Sequence, residues 1–326
     1  LDKDVVYSTL LAIAGAALFG ASPPLSKLLL GEIEPVLLAS FLYLGSGIGL
    51  FLYKMLKSLV FNDVIKEQII SRGDIPWLAG AILAGGIAAP IILMFSLRIT
   101  PASTASLLLN FECVATTTIA MIAFGEILER RILGAILLIT TAGIVLSADP
   151  GSQYGISIGA AGVLLACIFW GIDNNLMRNI CNKDAADLGM IKGLCAGTFS
   201  LILAISLNNP FPSLPILLGA LFIGSISYGL SIALFLTAMR GLGASRTSAW
   251  FAIAPFAGVV LSFLIFKESI NIQFLVALPV MIIGAMLLFG EEHRHTHAHA
   301  DIIHDHCHLP GDIYHKHEHD EDKTEK

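Results

Sequence analysis

Residues Trp77 to Leu97 read WLAGAILAGGIAAPIILMFSL, 21 positions without one charged side chain. The hydrocarbon core of a bilayer is crossed by about 20 mostly apolar residues of helix, so this stretch reads as a transmembrane helix. Val6 to Leu29 has the same character, with Lys27 as its one charge. Over all 326 residues, 56% are hydrophobic and 13% charged, too little polar surface to clothe a soluble domain of that size. The expected fold class is an all-α integral membrane protein with the lipid bilayer as its solvent.

Reading outward, apolar runs and their breakers predict ten spans: Val6 to Leu29, Pro35 to Tyr53, Ile75 to Leu97, Ala102 to Phe124, Ile132 to Ala148, Ile156 to Met177, Ala186 to Leu207, Leu214 to Met239, Ala244 to Phe266 and Ile272 to Phe289. Turn chemistry separates them at Asp149-Pro150-Gly151, Asn208-Asn209-Pro210 and Gly241-Leu242-Gly243. Asp2-Lys3-Asp4 lacks a positive leader, and the run after it is too long for a cleaved signal, so a retained first helix is expected. The loops sharing the N-terminal side carry Lys54, Lys57, Lys66, Arg72, Arg130, Arg131, Arg178, Lys183, Arg240 and Arg246, against Lys27, Arg98 and Lys267 opposite. That bias predicts cytoplasmic N- and C-termini and a plasma (inner) membrane location. The excess negative charge lies in residues 291–326, and no basic face exists for nucleic acid. The five cysteines never fall at C-x-x-C spacing, which argues against a disulfide framework or a zinc knuckle.

The chain also repeats itself. Ala102-Ser103-Thr104-Ala105-Ser106 overlays Ala244-Ser245-Arg246-Thr247-Ser248, and at the same offset Gly125-Glu126 falls on Lys267-Glu268. With a small change of offset, Gly80 to Gly85 overlays Gly219 to Gly224, and Phe19-Gly20 through Lys27 matches Phe169-Trp170-Gly171 through Arg178. The domains read as a first five-helix repeat over 1–150, a second over 151–290 and a tail over 291–326. Five is odd, so the second copy must enter the membrane from the opposite side, which predicts inverted repeats and alternating access.

The Phe-Gly opening of each half, the Gly-Ala-Ser-Arg-Thr-Ser entry at Gly243 to Ser248 and the acidic helix ends at Glu126 and Glu268 resemble the EamA-type drug/metabolite transporters over nearly all of Val6 to Glu291. The resemblance implies a ten-helix secondary carrier or exporter, not an enzyme, with a cavity between the halves. Its substrates as a superfamily include amino acids, nucleotide sugars, drugs and other metabolites. One departure stands out: where such carriers often have Glu-Pro in the fourth helix of a repeat, this chain has Glu112-Cys113 in one copy and Ala254-Pro255 in the other.

A carboxylate inside hydrocarbon costs about 2.5–3.5 kcal/mol on insertion scales. Two are expected there: Glu112, with Asn110 nearby, and Asp173, beside Asn174 and Asn175. Facing a cavity, they would bind a cationic part of a small-molecule substrate or exchange a proton. Otherwise they would pair with asparagine to fix helix packing, or, for Asp173, cap a broken helix. Pro23 and Pro24, with Pro90, Pro255 and Pro279, free carbonyls that need a partner or a cavity. Trp170 and Trp250 are candidate cavity walls, with ordinary packing as the alternative. Gly45-Ser46-Gly47-Ile48-Gly49 lies within an apolar span, with no strand before it or lysine after it, and reads as small-residue helix packing rather than a phosphate loop.

All ten histidines follow the last span: His293, His295, His297, His299, His304, His306, His308, His315, His317 and His319. Repeated H-x-H spacing, with Cys307 alongside, offers ligands for zinc, nickel, copper or cobalt, while no cofactor is required by the spans. The tail's polar composition predicts disorder without metal. The first reading is therefore a carrier of a small organic metabolite or drug with a metal-binding tail. A divalent-metal transporter and a ligand-responsive membrane sensor stand as alternatives.

Overall fold

The structure is a computed structural model that describes residues 3–60, 70–125, 128–149, 151–152, 155–181 and 183–289. Glu126, Pro150 and the tail with its ten histidines and Cys307 lie outside the described residues. Among the described residues nine helices are long and apolar enough to cross a membrane. They are α1 (Val5–Leu29), α2 (Pro35–Lys57), α3 (Ile75–Ile99), α4 (Ala102–Phe124), α5 (Arg130–Ser147), α6 (Ile158–Ile180), α7 (Ala185–Ser206), α8 (Leu214–Leu242) and α9 (Arg246–Phe266). The expected tenth, α10 (Ile272–Leu288), is an apolar helix but shorter, about 25 Å at 1.5 Å per residue.

Packing runs across the chain rather than along it. α2 lies along α7 and α8, α1 along α8 and α9, α6 along α3 and α4, and α5 against α10. These contacts come in matched sets: moving each partner of α1 with α8 and α9 on by five helices gives α6 with α3 and α4. In lipid there is no hydrophobic gain between helices, so close approach depends on small residues. The glycine run of α2 supplies it, as its composition predicts. A Cβ on Gly45 would stand 2.9 Å from the Leu221 carbonyl carbon, and one on Gly193 would stand 2.8 Å from the Gly47 nitrogen. Leu137, Ile144, Leu264 and Met286 are exposed on the outside of the bundle, where lipid is their solvent.

Irregularities recur at matched places. α3 carries a π-helical stretch at Ile82–Ala88 and α8 one at Gly224–Leu230, their starts 142 residues apart. That is the offset that overlays Ala102 on Ala244, so the backbone pairs the third helices three residues away from the Gly80 and Gly219 overlay. Three residues are nearly one turn, so an apolar pattern matches itself almost equally well at either register. α4 breaks at Leu109 and Asn110 and α9 at Ala252 and Ile253. Both close with a left-handed residue, Gly125 (φ 69°) and Lys267 (φ 50°), the conformation that ends many helices and that glycine adopts most easily.

Candidate functional site

The centre of the bundle is organised by the π stretch of α3. There the Ala89 amide bonds to the Ala84 carbonyl, and Pro90, five residues beyond Gly85, has no N–H to offer. The Gly85 carbonyl is left for side chains, and two donate to it: the Tyr43 hydroxyl at 2.6 Å and Trp170 Nε1 at 3.0 Å. Thus Pro90 frees a carbonyl as expected, and Trp170 is tied to it at the junction of α2, α3 and α6. Tyr43 faces Tyr228 of α8 with ring centroids 5.9 Å apart. The Tyr228 hydroxyl accepts from Ser22 Oγ at 2.7 Å, and Phe19 meets its ring edge-on at 5.7 Å.

One turn on from Trp170 lies Asp173, its side chain only 4% exposed. It sits within an unbroken helix, Ile158–Met177, so the cap reading does not hold. Its partner is an ion: Lys192 of α7 donates to Asp173 Oδ2, and Asp173 Oδ1 is buried without a hydrogen-bond partner. The pair sits tightly against α3, because a Cβ at Gly85 would overlap the Asp173 carboxylate. Sequence reasoning passed over Lys192. The signal available was a lone lysine well inside the apolar run Ala186 to Leu207, where an ionised group needs a counter-charge as much as a carboxylate does.

Glu112 occupies the first turn of Phe111–Phe124, the second piece of α4, where unpaired amides and the helix dipole favour a carboxylate. The matching place in α9 is taken by Pro255, at the start of Ala254–Phe266, where a missing N–H costs little. The helix break therefore has two chemical solutions, one acidic and one apolar. Glu112 does not pair with Asn110, whose amide donates to the Leu107 carbonyl at 3.0 Å and is spent on the break itself. Its partner is Asn174, whose Nδ2 donates to Glu112 Oε1 at 3.0 Å and to Thr116 Oγ1 at 3.1 Å. Asn175 donates to the carbonyls of Thr116 and Gly171, locking α6 to α4. Glu112, Cys113, Thr116, Asn174, Ile132 and Leu288 are among the walls of a cleft of about 340 Å³.

The remaining residues singled out from sequence lie apart from this cleft. Pro23 and Pro24 are buried at the start of Ser22–Leu29, after a break in α1 at Ala21. Trp250 is 39% exposed. Among the described residues no group of three or more His, Cys, Asp or Glu side chains gathers as a metal site. At the opposite end of α4, Glu268 accepts from the amides of Ala102 at 2.7 Å and Ser103 at 3.0 Å, and from the Ser103 hydroxyl. There Lys27 donates to the carbonyls of Leu97 at 3.0 Å and of Thr100. The acidic helix end thus bridges α9 to α4, a contact between distant segments that no local pattern announces.

A bundle of apolar spans with interrupted helices and a buried charged pair between them defines a polytopic integral membrane protein. The chain matches the model of the EamA-like transporter family over residues 7–148 and 157–290 and belongs to that family. It is similar to an uncharacterized transporter of Methanothermobacter thermautotrophicus, 30% identical over 294 residues that cover 85% of this chain and 84% of the relative. An uncharacterized transporter of Clostridium kluyveri is 24% identical over 282 residues, covering 81% of this chain and 86% of the relative. A crystal structure of another protein shares the fold with a TM-score of 0.62 at 16% identity, covering 86% of this chain and 95% of that one.

Proposed function

We propose that this membrane transporter is a secondary carrier of a small organic metabolite or drug, with α1–α5 and α6–α10 acting as inverted copies in alternating access. In this reading α10 is the tenth span, both termini are cytoplasmic and the membrane is the plasma (inner) membrane. The observation that carries it is the polar centre of an otherwise apolar bundle. Asp173 and Asn174, adjacent on α6, join Lys192 of α7 on one side and Glu112 and Thr116 of α4 on the other, and Glu112 lines a cleft of about 340 Å³. Ionised groups held in hydrocarbon belong to solute or proton pathways, and the matched contacts of α1 and α6 fit two halves that exchange conformations.

The test begins with a panel of metabolites, drugs and metals screened on the purified protein by thermal stabilisation. A stabilising ligand is then followed in counterflow across proteoliposomes. Exchange of the ligand, falling at least tenfold in Glu112→Gln with the thermal transition retained, supports the reading. A ligand that stabilises the protein but is never exchanged overturns it in favour of a sensor. Exchange that survives Glu112→Gln with unchanged pH dependence removes Glu112 from the pathway.

A further inference from the structure

We propose that Glu268 is the latch of a gate at the end of the bundle away from the Glu112 cleft, and that the structure is the state closed at that end. The latch's part in transport rests on the carrier reading; its position rests on the contacts themselves. Glu268 follows the left-handed close of α9 at Lys267 and opens the short connection to α10, which starts at Ile272. Its carboxylate takes the Ala102 and Ser103 amides and the Ser103 hydroxyl, so the turn between α9 and α10 is fastened to the head of α4. Amides in a first helical turn have no partner within their own helix, and a carboxylate is a strong acceptor for them. The chain just before that head is itself held, because Lys27 donates to the Leu97 and Thr100 carbonyls. A recess of about 450 Å³ lined by Lys27, Arg98 and Glu268 opens here, so water can compete for the latch.

The cleft lies toward the other end. α4 runs away from the latch to Phe124, where α5 follows, and α10 starts beside the latch and runs the same way to Leu288. Ile132 and Leu288, two walls of the cleft, are thus remote from Glu268. A bundle fastened at one end with its cleft toward the other is the arrangement of one state in alternating access.

Unpaired polar atoms gather on the latched side. Among the described residues six buried side-chain polar atoms lack a hydrogen-bond partner, and five of them, on Ser26, Thr100, Ser106, Ser147 and Asn209, belong to the latch-side portions of their helices or the turns beyond. A buried hydroxyl without a partner is costly and needs a reason. A second arrangement in which these atoms meet water supplies it. Ser106 is the sharpest case. It lies one turn into α4, and a Cβ on Gly258 of α9 would stand 2.8 Å from its Oγ, so it faces the seam between α4 and α9 that Glu268 fastens. Unlatching parts the seam and wets Ser106.

The test uses the full chain with its five cysteines changed to alanine and Ser106→Cys as the sole thiol, purified in detergent. Its alkylation by a water-soluble maleimide is timed, because the rate of a buried thiol follows the fraction of time its surroundings are open. Against the native Glu268, Glu268→Ala should speed the reaction by about tenfold or more, and Glu268→Gln, which keeps the length but loses the charge, by about threefold. Glu34→Gln should leave it unchanged, since the Arg98–Glu34 pair at the same end, 2.9 Å apart, does not involve α9. Thermal transitions are recorded for every chain. An unchanged rate in Glu268→Ala overturns the proposal. So does equal acceleration in Glu34→Gln, which would mean that loss of any charge loosens this end. Acceleration that comes only with a lowered thermal transition in both Glu268 variants makes the contact a structural bolt and also overturns it. The rates are read without substrate, so a chain that unlatches but never exchanges a ligand sinks the carrier reading and leaves the latch standing.

Discussion

Removing one partner of the Asp173–Lys192 pair should cost far more than removing both. Asp173 is 4% exposed and Lys192 17%, and Asp173 Oδ1 has no other donor. Lys192→Met therefore strands a buried carboxylate. Breaking buried pairs this way costs about 3–5 kcal/mol. The residual exposure of the lysine puts the expected loss near 3 kcal/mol, a factor on the order of a hundred in the folded-to-unfolded ratio. Asp173→Asn strands the ammonium instead, at a somewhat smaller cost because Lys192 reaches more solvent. The double variant Asp173→Asn, Lys192→Met leaves no unpaired ion and should recover most of the loss, giving a coupling energy of about 2 kcal/mol or more. Denaturant titration in mixed micelles, followed by circular dichroism, measures all four chains. Additive single and double effects would refute the pairing, and recovery in the double variant would establish it. Transport measured on the same proteins separates the roles, since a merely structural pair regains flux along with stability.

Two further outcomes follow from the packing and the loop charges. In Gly224→Ala the new Cβ would stand 2.7 Å from the Leu42 carbonyl carbon. Backbone cannot rotate aside, so α2 and α8 must part at about 1–3 kcal/mol, whereas Gly219→Ala, with nothing within 4 Å, should be neutral or gain up to about 1 kcal/mol; melting curves of the two give the contrast. At the head of α7, burial works against the charge of Asp184, yet Lys54 and the amides of Ala186 and Asp187 outweigh it and hold its carboxyl below the usual range. Its stabilisation is complete above the unfolded carboxylate pKa of about 3.9 and disappears as pH falls through the lowered folded value. Asp184→Ala should therefore lower the melting temperature at pH 7 and flatten its fall on acidification, and an unchanged acid slope would count against this.

The matched breaks of α4 and α9 carry an unequal chemistry. Both α4 and α9 are interrupted partway along, but one resumes with Glu112 in its first turn and the other with Pro255. At its break α4 carries the Glu112 carboxylate, which α6 meets with Asn174, while α6 brings a second carboxylate, Asp173, paired with Lys192 of α7.

Much of the fold was readable along the chain because span length and hydropathy are one-dimensional properties. Nine of the ten expected spans appear within a few residues of their bounds, and the tenth as a shorter helix. Gly125 and Lys267, which overlay one another in the sequence, both end a helix in the left-handed conformation, a backbone choice no sequence pattern here announced. Glu112 and Asp173 were found because a carboxylate in an apolar run is conspicuous. What they touch was not readable. Glu112 meets Asn174 rather than the neighbouring Asn110, and Asp173 meets Lys192 on the next helix. The carbonyl that gathers Tyr43 and Trp170 is freed by a π turn and a proline together. Sequence determined where the long apolar helices run and which residues are costly in lipid. Tertiary structure alone decided which of those residues relieve one another, because a partner is chosen by the rotation and approach of packed helices.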